Sequence, residues 1–132
     1  MALLKERPGL RLLVVGGNRT GDSERGRLER LAQEMGIDRL VRFEGPVKQD
    51  VLPMYYSAAD VCVVPSYYES FGLVAVEAQA CGTPVVAARV GGLAYTVKDG
   101  VSGYLIPWRC PEPFADRIDL LLENAPLRER MG

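Results

Sequence analysis

The sequence contains no histidine. The commonest general base and the commonest metal ligand are therefore both missing, and histidine-dependent chemistry would have to come from elsewhere. Cysteine is scarce: Cys62, Cys81 and Cys110 are three in number, unevenly spaced, and two of them lie in apolar surroundings. That usage suits free thiols in a reducing compartment better than a disulfide framework, and the cytoplasm is the expected home. There is no uninterrupted run of about 18 apolar residues that would span a membrane. The opening MALLKERPGLR also lacks the apolar stretch of a signal peptide. Excess charge of either sign is absent too, since 16 basic and 17 acidic residues leave a formal net charge of −1. The whole-chain field gives no reason to expect nucleic acid or an anionic membrane as a partner, so any anion must be bound locally.

What is present is ordinary for a globular protein: 132 residues, 48% apolar and 25% charged, a length that fits one domain with one core. Short apolar runs at Leu12–Val15, Val41–Phe43, Val61–Val64, Val85–Ala87 and Tyr104–Ile106 alternate with segments of helical spacing. That alternation marks βα units on a parallel sheet. The runs are continuous rather than alternating in polarity, as expected of strands covered by helices on both faces. The expected fold is therefore α/β, a Rossmann-like doubly wound parallel sheet.

Helices are expected from about Asp22 to Met35, with Leu28, Leu31, Ala32 and Met35 on one face and Gly36 as the stop. Others are expected from near Asp50 to before Asp60, from near Phe71 to Gly82-Thr83-Pro84, and over Leu93–Val97 and Pro113–Leu122. The helix from near Phe71 is small and apolar on nearly every face, which predicts a central, closely packed helix.

The turn Pro65-Ser66-Tyr67-Tyr68-Glu69-Ser70-Phe71-Gly72 joins a buried strand to that apolar helix. In open α/β sheets, ligands bind at the carboxyl ends of the strands, so this turn lies where a site belongs. Free N–H groups from Ser70 to Leu73, at the positive end of a helix, suit a phosphate, although Ser70 could equally serve as a plain helix cap. Glu69 precedes the helix and Glu77 lies eight residues further on, on an otherwise apolar surface. At ~1.5 Å per helical residue they stand roughly 12 Å apart, too far to share a proton or to act as a glycosidase pair on one bond. They suit the two ends of one extended ligand.

Glu69-Ser70-Phe71-Gly72-Leu73-Val74-Ala75-Val76-Glu77 resembles the motif of two glutamates separated by seven residues in retaining glycosyltransferases of the GT-B fold. The likeness extends to Tyr56-Ser57-Ala58-Ala59-Asp60, Val64-Pro65-Ser66, the stretch from Glu77 through Gly82-Thr83-Pro84 to Val86, and Gly91-Gly92. It covers Leu12 to about Ile118. Sucrose-phosphate synthases and bacterial mannosyl- and N-acetylglucosaminyltransferases share this pattern. The wording is especially similar to enzymes that form N-acetylglucosaminyl-inositol phosphate for mycothiol.

The resemblance implies a nucleotide-sugar donor, a UDP-sugar first, with GDP and ADP sugars behind, and a hexose moved to an acceptor that this half does not identify. It implies that Glu69 contacts the transferred sugar and that Glu77 binds the ribose hydroxyls. Ser70, Phe71, Gly72 and Leu73 would give backbone N–H groups to the sugar and diphosphate, and no metal would be needed. Gly16-Gly17 would lie beside the donor phosphates or sugar, where the local alternative is a plain tight turn. Arg42 would hold the base through its main chain, where the alternative is a solvated surface arginine. Gly91-Gly92 would form a turn near the donor, and Tyr67 and Tyr68 either line the cleft or pack.

By the same resemblance, residues 1–132 are the C-terminal donor-binding domain lacking its first βα unit, and the acceptor domain is absent. That unit would carry an arginine and a lysine for the diphosphate, and its strand would be central. The fragment alone is therefore expected to be inactive and to self-associate through an exposed sheet edge. Two other readings compete: a non-catalytic nucleotide-binding or regulatory module, and a receiver-like domain. The latter's acidic cluster is replaced by Gly16-Gly17-Asn18 after the first strand. The run Gly16 to Gly21 also lacks the glycine spacing of a dinucleotide oxidoreductase, so NAD is disfavoured.

Overall fold

A computed structural model describes residues 2–17 and 24–132 and divides the chain into two compact units, Met1–Gln49 and Asp50–Gly132. The single core expected from length is thus replaced by separate ones. The first unit holds α1 (Ala2–Glu6), β1 (Leu12–Val15), α2 (Glu24–Glu34), a short 3-10 helix (Asp38–Leu40) and β2 (Val41–Gly45). Asn18 to Ser23, which include the expected start of α2 at Asp22, lie outside the described residues. β1 and β2 run parallel, with Leu12 opposite Val41 and Val14 opposite Phe43, and the register shifts between Val14 and Val15. Helix α2 stops as its sequence requires: Gly36 N–H bonds the Gln33 carbonyl at 2.9 Å and Ile37 N–H the Ala32 carbonyl at 2.9 Å. That reversal drops Ile37 into a small core with Ala32 and Leu4.

The second unit runs α3 (Leu52–Ala58), β3 (Cys62–Val64), α4 (Leu73–Ala80), β4 (Val85–Ala88), α5 (Leu93–Thr96), β5 (Gly103–Ile106), α6 (Pro111–Glu123) and α7 (Ala125–Met131). Its three strands are parallel in the order β3-β4-β5, with Cys62 opposite Val85 and Val85 opposite Gly103. Successive side chains of β4 point to opposite faces. Val85 and Ala87 therefore join Ala75 and Ala78 of α4 and Leu93 of α5, whereas Val86 joins Leu121 of α6 and Met131 of α7. Each face of the sheet is covered by its own helices, which is the doubly wound arrangement expected. Burying one such valine stabilises the fold by about 1.5–3 kcal/mol.

Two helices at the ends of the chain, α1 and α7, were not anticipated. The signal for α7 is present in the sequence: Asn124 caps it, its side-chain oxygen accepting the Leu127 N–H at 3.0 Å, and a proline follows within the first turn. Arg128 reaches back to donate to the carbonyls of Leu121 (2.7 Å) and Leu122 (2.9 Å) in the last turn of α6, where the Leu121 carbonyl also takes the Asn124 N–H at 3.4 Å.

Helix α4 departs from its expected burial. Ala75 and Ala78 are fully enclosed, but Leu73, Val74 and Val76 are 62%, 42% and 38% exposed. Small side chains three residues apart seat the helix backbone against the sheet, and the larger ones radiate from its remaining sides. An even apolar composition gave no means of telling those sides apart.

Candidate functional site

The turn between β3 and α4 is held by its own carboxylate. Gly72 takes the capping position of α4 with φ +89 and ψ 43, and no side chain caps the helix. Ser70 is exposed, so the plain capping role considered for it is not the one it plays. Instead, Glu69 Oε1 accepts the N–H groups of Gly72 at 3.2 Å and Phe71 at 3.4 Å. The Gly72 carbonyl accepts the N–H groups of Ala75 (3.0 Å) and Val76 (3.1 Å). The N–H groups of Leu73 and Val74 have no acceptor among the described residues. The positive end of α4 thus already attracts one anionic group and keeps two donors for another.

Gly91 and Gly92, between β4 and α5, form the wall behind this turn. Gly92 N–H bonds the Glu69 carbonyl at 2.8 Å. A Cβ at Gly91 would lie 2.0 Å from that carbonyl oxygen, and one at Gly92 would lie 2.4 Å from Phe71 Cα and 2.5 Å from the Ser70 carbonyl. Only glycine allows such an approach of two backbones. Gly72 is confined likewise: a Cβ there would meet Leu93 Cδ2 at 2.8 Å and Thr96 Oγ1 at 3.0 Å. The expected turn at Gly91-Gly92 is present, and its role is to fix the backbone that carries Glu69 to Phe71.

Glu77 lies further along α4 and is half-buried. Its Oε2 accepts the hydroxyl of Tyr56, from α3, at 2.9 Å. Tyr56 is fixed in turn by the buried Thr83, whose Oγ1 donates to the Tyr56 carbonyl at 2.6 Å. Burial first, and then the bond to the Glu77 carboxylate, raises the Tyr56 phenol above its ordinary value, so the hydroxyl keeps its proton. Sequence reasoning did not single out Tyr56 as a site residue. It entered only as the first residue of the stretch Tyr56 to Asp60 that carries the resemblance, and it is 21 residues from its partner.

The second unit therefore brings together Glu69, Ser70, Phe71, Gly72, Leu73 and Glu77 on one turn and the helix that follows it. Gly16, Gly17 and Arg42 belong to the first unit. Gly16 and Gly17 leave β1 with φ of +107 and +83, and Gly16 N–H bonds the Gly45 carbonyl at 2.8 Å. Arg42 lies opposite Leu13 in the ladder, with its side chain 78% exposed and paired with Glu44. Tyr67 and Tyr68 are exposed rather than packed, and Tyr67 meets Trp108 edge-on at 6.3 Å between ring centres. The three cysteines are free thiols. No described helix is long and apolar enough to cross a membrane.

The chain is 53% identical over 135 residues to the D-inositol 3-phosphate glycosyltransferase of Thermobifida fusca (strain YX), a match that takes in 98% of this chain and 31% of the relative. Among solved structures it is similar to the sucrose-phosphate synthase of Thermosynechococcus elongatus, with a TM-score of 0.90 and 44% identity over 98% of this chain and 33% of that one. It is also similar to the Anabaena protein HepE in complex with UDP, with a TM-score of 0.88 and 29% identity over 98% of this chain and 36% of that one. The chain thus spans about a third of the length of the relatives it matches. Residues 1–132 match the family described as glycosyl transferases group 1 along their whole length, and the chain belongs to that family.

Proposed function

We propose that this chain is the donor-binding part of a retaining glycosyltransferase that moves a hexose from a nucleoside-diphosphate sugar to an acceptor held by other residues. The observation that carries the reading is the arrangement along α4. Glu69 stands at its start, the Leu73 and Val74 N–H groups remain unused beside it, and Glu77 is fixed by Tyr56 further along. A nucleotide sugar has the matching sequence of groups: sugar hydroxyls, a diphosphate and a ribose.

In this reading the helix N-terminus and the turn amides hold the diphosphate, Glu69 moves from its own amides to the sugar, and Glu77 accepts the ribose hydroxyls. Charge builds on the leaving phosphate as the glycosidic bond breaks, and donors aimed at that position stabilise it. The acceptor attacks the face the phosphate leaves, giving up its proton to a phosphate oxygen, so configuration is retained. No step requires a metal. The likeness to a protein solved with UDP favours a UDP-sugar.

Calorimetric titration with UDP, GDP and ADP, on the chain and on Glu77→Ala, tests the reading. Saturable binding of UDP that weakens about tenfold or more in the variant is expected, since a hydrogen bond to a charged group is worth about 1.5–3 kcal/mol. A folded chain that binds none of the three, or binds UDP equally well as Glu77→Ala, would remove the donor site. Retention is read separately from the anomeric proton couplings of product formed by the whole protein.

A further inference from the structure

Glu77 presents two carboxylate oxygens, and among the described residues only one of them is engaged: Oε2 is taken by the Tyr56 hydroxyl at 2.9 Å. A free glutamate side chain samples several rotamers, and a ligand that needs one of them must select it. Tyrosine has only two side-chain torsions. Here its ring packs against the core cluster that contains Val64, Ala75, Ala78 and Leu93. Its backbone is tied independently, because Thr83, fully enclosed just before β4, donates to the Tyr56 carbonyl at 2.6 Å. A rigid chain of contacts therefore runs from the sheet through Thr83 and Tyr56 to one oxygen of Glu77.

We propose that Tyr56 is the positioning residue for nucleotide recognition: by holding Glu77 Oε2 it turns Oε1 toward the ribose hydroxyls, and Thr83 fixes Tyr56 for that task. This rests on the reading of Glu77 as the ribose-binding carboxylate. The hydroxyl remains a donor throughout the working pH range, because burial and the neighbouring carboxylate both oppose its ionisation. A bond from hydroxyl to carboxylate is charge-assisted and directional, which is what orientation of a second oxygen needs.

The experiment is a chemical cycle in which UDP and 2′,3′-dideoxy-UDP are titrated calorimetrically into the wild type, Tyr56→Phe, Thr83→Val and Glu77→Gln, with circular dichroism to confirm folding. Tyr56→Phe keeps the ring and removes the donor. It is expected to weaken UDP about tenfold while leaving the dideoxy nucleotide at its wild-type affinity, and Thr83→Val is expected to act in the same direction by a smaller factor. Unchanged UDP affinity in Tyr56→Phe would overturn the proposal, and so would an equal loss for both nucleotides, which marks a merely structural role. If Tyr56→Phe does not fold, Thr83→Val decides by the same ribose-selective criterion. UDP binding that is unaffected in Glu77→Gln would instead overturn the underlying assignment of Glu77, a result distinguishable from failure of Tyr56 alone.

Discussion

Strands β1 and β4 are both four residues long and wholly apolar, Leu12-Leu13-Val14-Val15 in one and Val85-Val86-Ala87-Ala88 in the other, yet their surroundings differ. Every residue of β4 is buried, whereas Leu13 of β1 is 42% exposed. The difference does not lie in hydrophobicity, since leucine buries more apolar surface than alanine when it can. It lies in neighbours: β4 is laddered to β3 and β5 and carries helices on both faces, whereas β1, among the described residues, is laddered only to β2. An apolar run identifies a strand, and its rank in the sheet decides how much stability each residue contributes.

The strongest way to break this comparison is to place the same charge in both strands. Val86→Asp leaves an unpaired carboxylate at the centre of the β3-β4-β5 sheet and is expected to cost more than about 4 kcal/mol, abolishing a cooperative urea transition. Leu13→Asp is expected to cost about 1 kcal/mol or less. Equal losses would mean that burial in β4 has no energetic counterpart.

A smaller effect sharpens the picture at the edge of that sheet. Burial raises the Cys62 thiol from 9.0 to about 11. Because the folded value lies above the unfolded one, the stabilisation is fully present below about pH 9 and is lost as pH rises through about 11, by up to about 2–3 kcal/mol. Denaturation midpoints across that window should fall more steeply in the wild type than in Cys62→Ala, and parallel curves would show that the thiol is not shielded. The smallest effect is expected in the first unit: Arg42→Ala removes an exposed guanidinium from its ion pair with the half-buried Glu44 and should change stability by about 0.5 kcal/mol. A larger loss in urea titration would mean that β2 depends on that side chain.

The strands were legible because each is a short apolar run bounded by turn residues; β1 has the expected limits and the others differ from theirs by one or two residues. The candidate site on the turn and α4 was read from the spacing of Glu69 and Glu77. Four features were not. Burial around α4 depends on which side chains are small enough to touch the sheet, and a nearly uniform apolar helix does not encode that in its periodicity. Tyr56 reaches Glu77 across two separate helices, so no local spacing announces the contact. The work of Gly91 and Gly92 is likewise tertiary: their glycines read as a turn, and only the approach of Glu69 and Phe71 shows what they make room for. The tie from Arg128 to the end of α6 was missed with α7 itself.

The backing of Gly91 and Gly92 has a consequence for how such a pocket changes. The segment that bears Glu69 is registered by Gly92, and the next residue, Leu93, is anchored in the interior. Side chains that no ligand touches therefore set the height and tilt of the turn, and a swap of volume around Leu93 would be transmitted to it as a small displacement. Under the proposed donor role, selectivity among sugars would be retuned from behind, leaving both glutamates in place, and two proteins with identical contact residues need not prefer the same sugar.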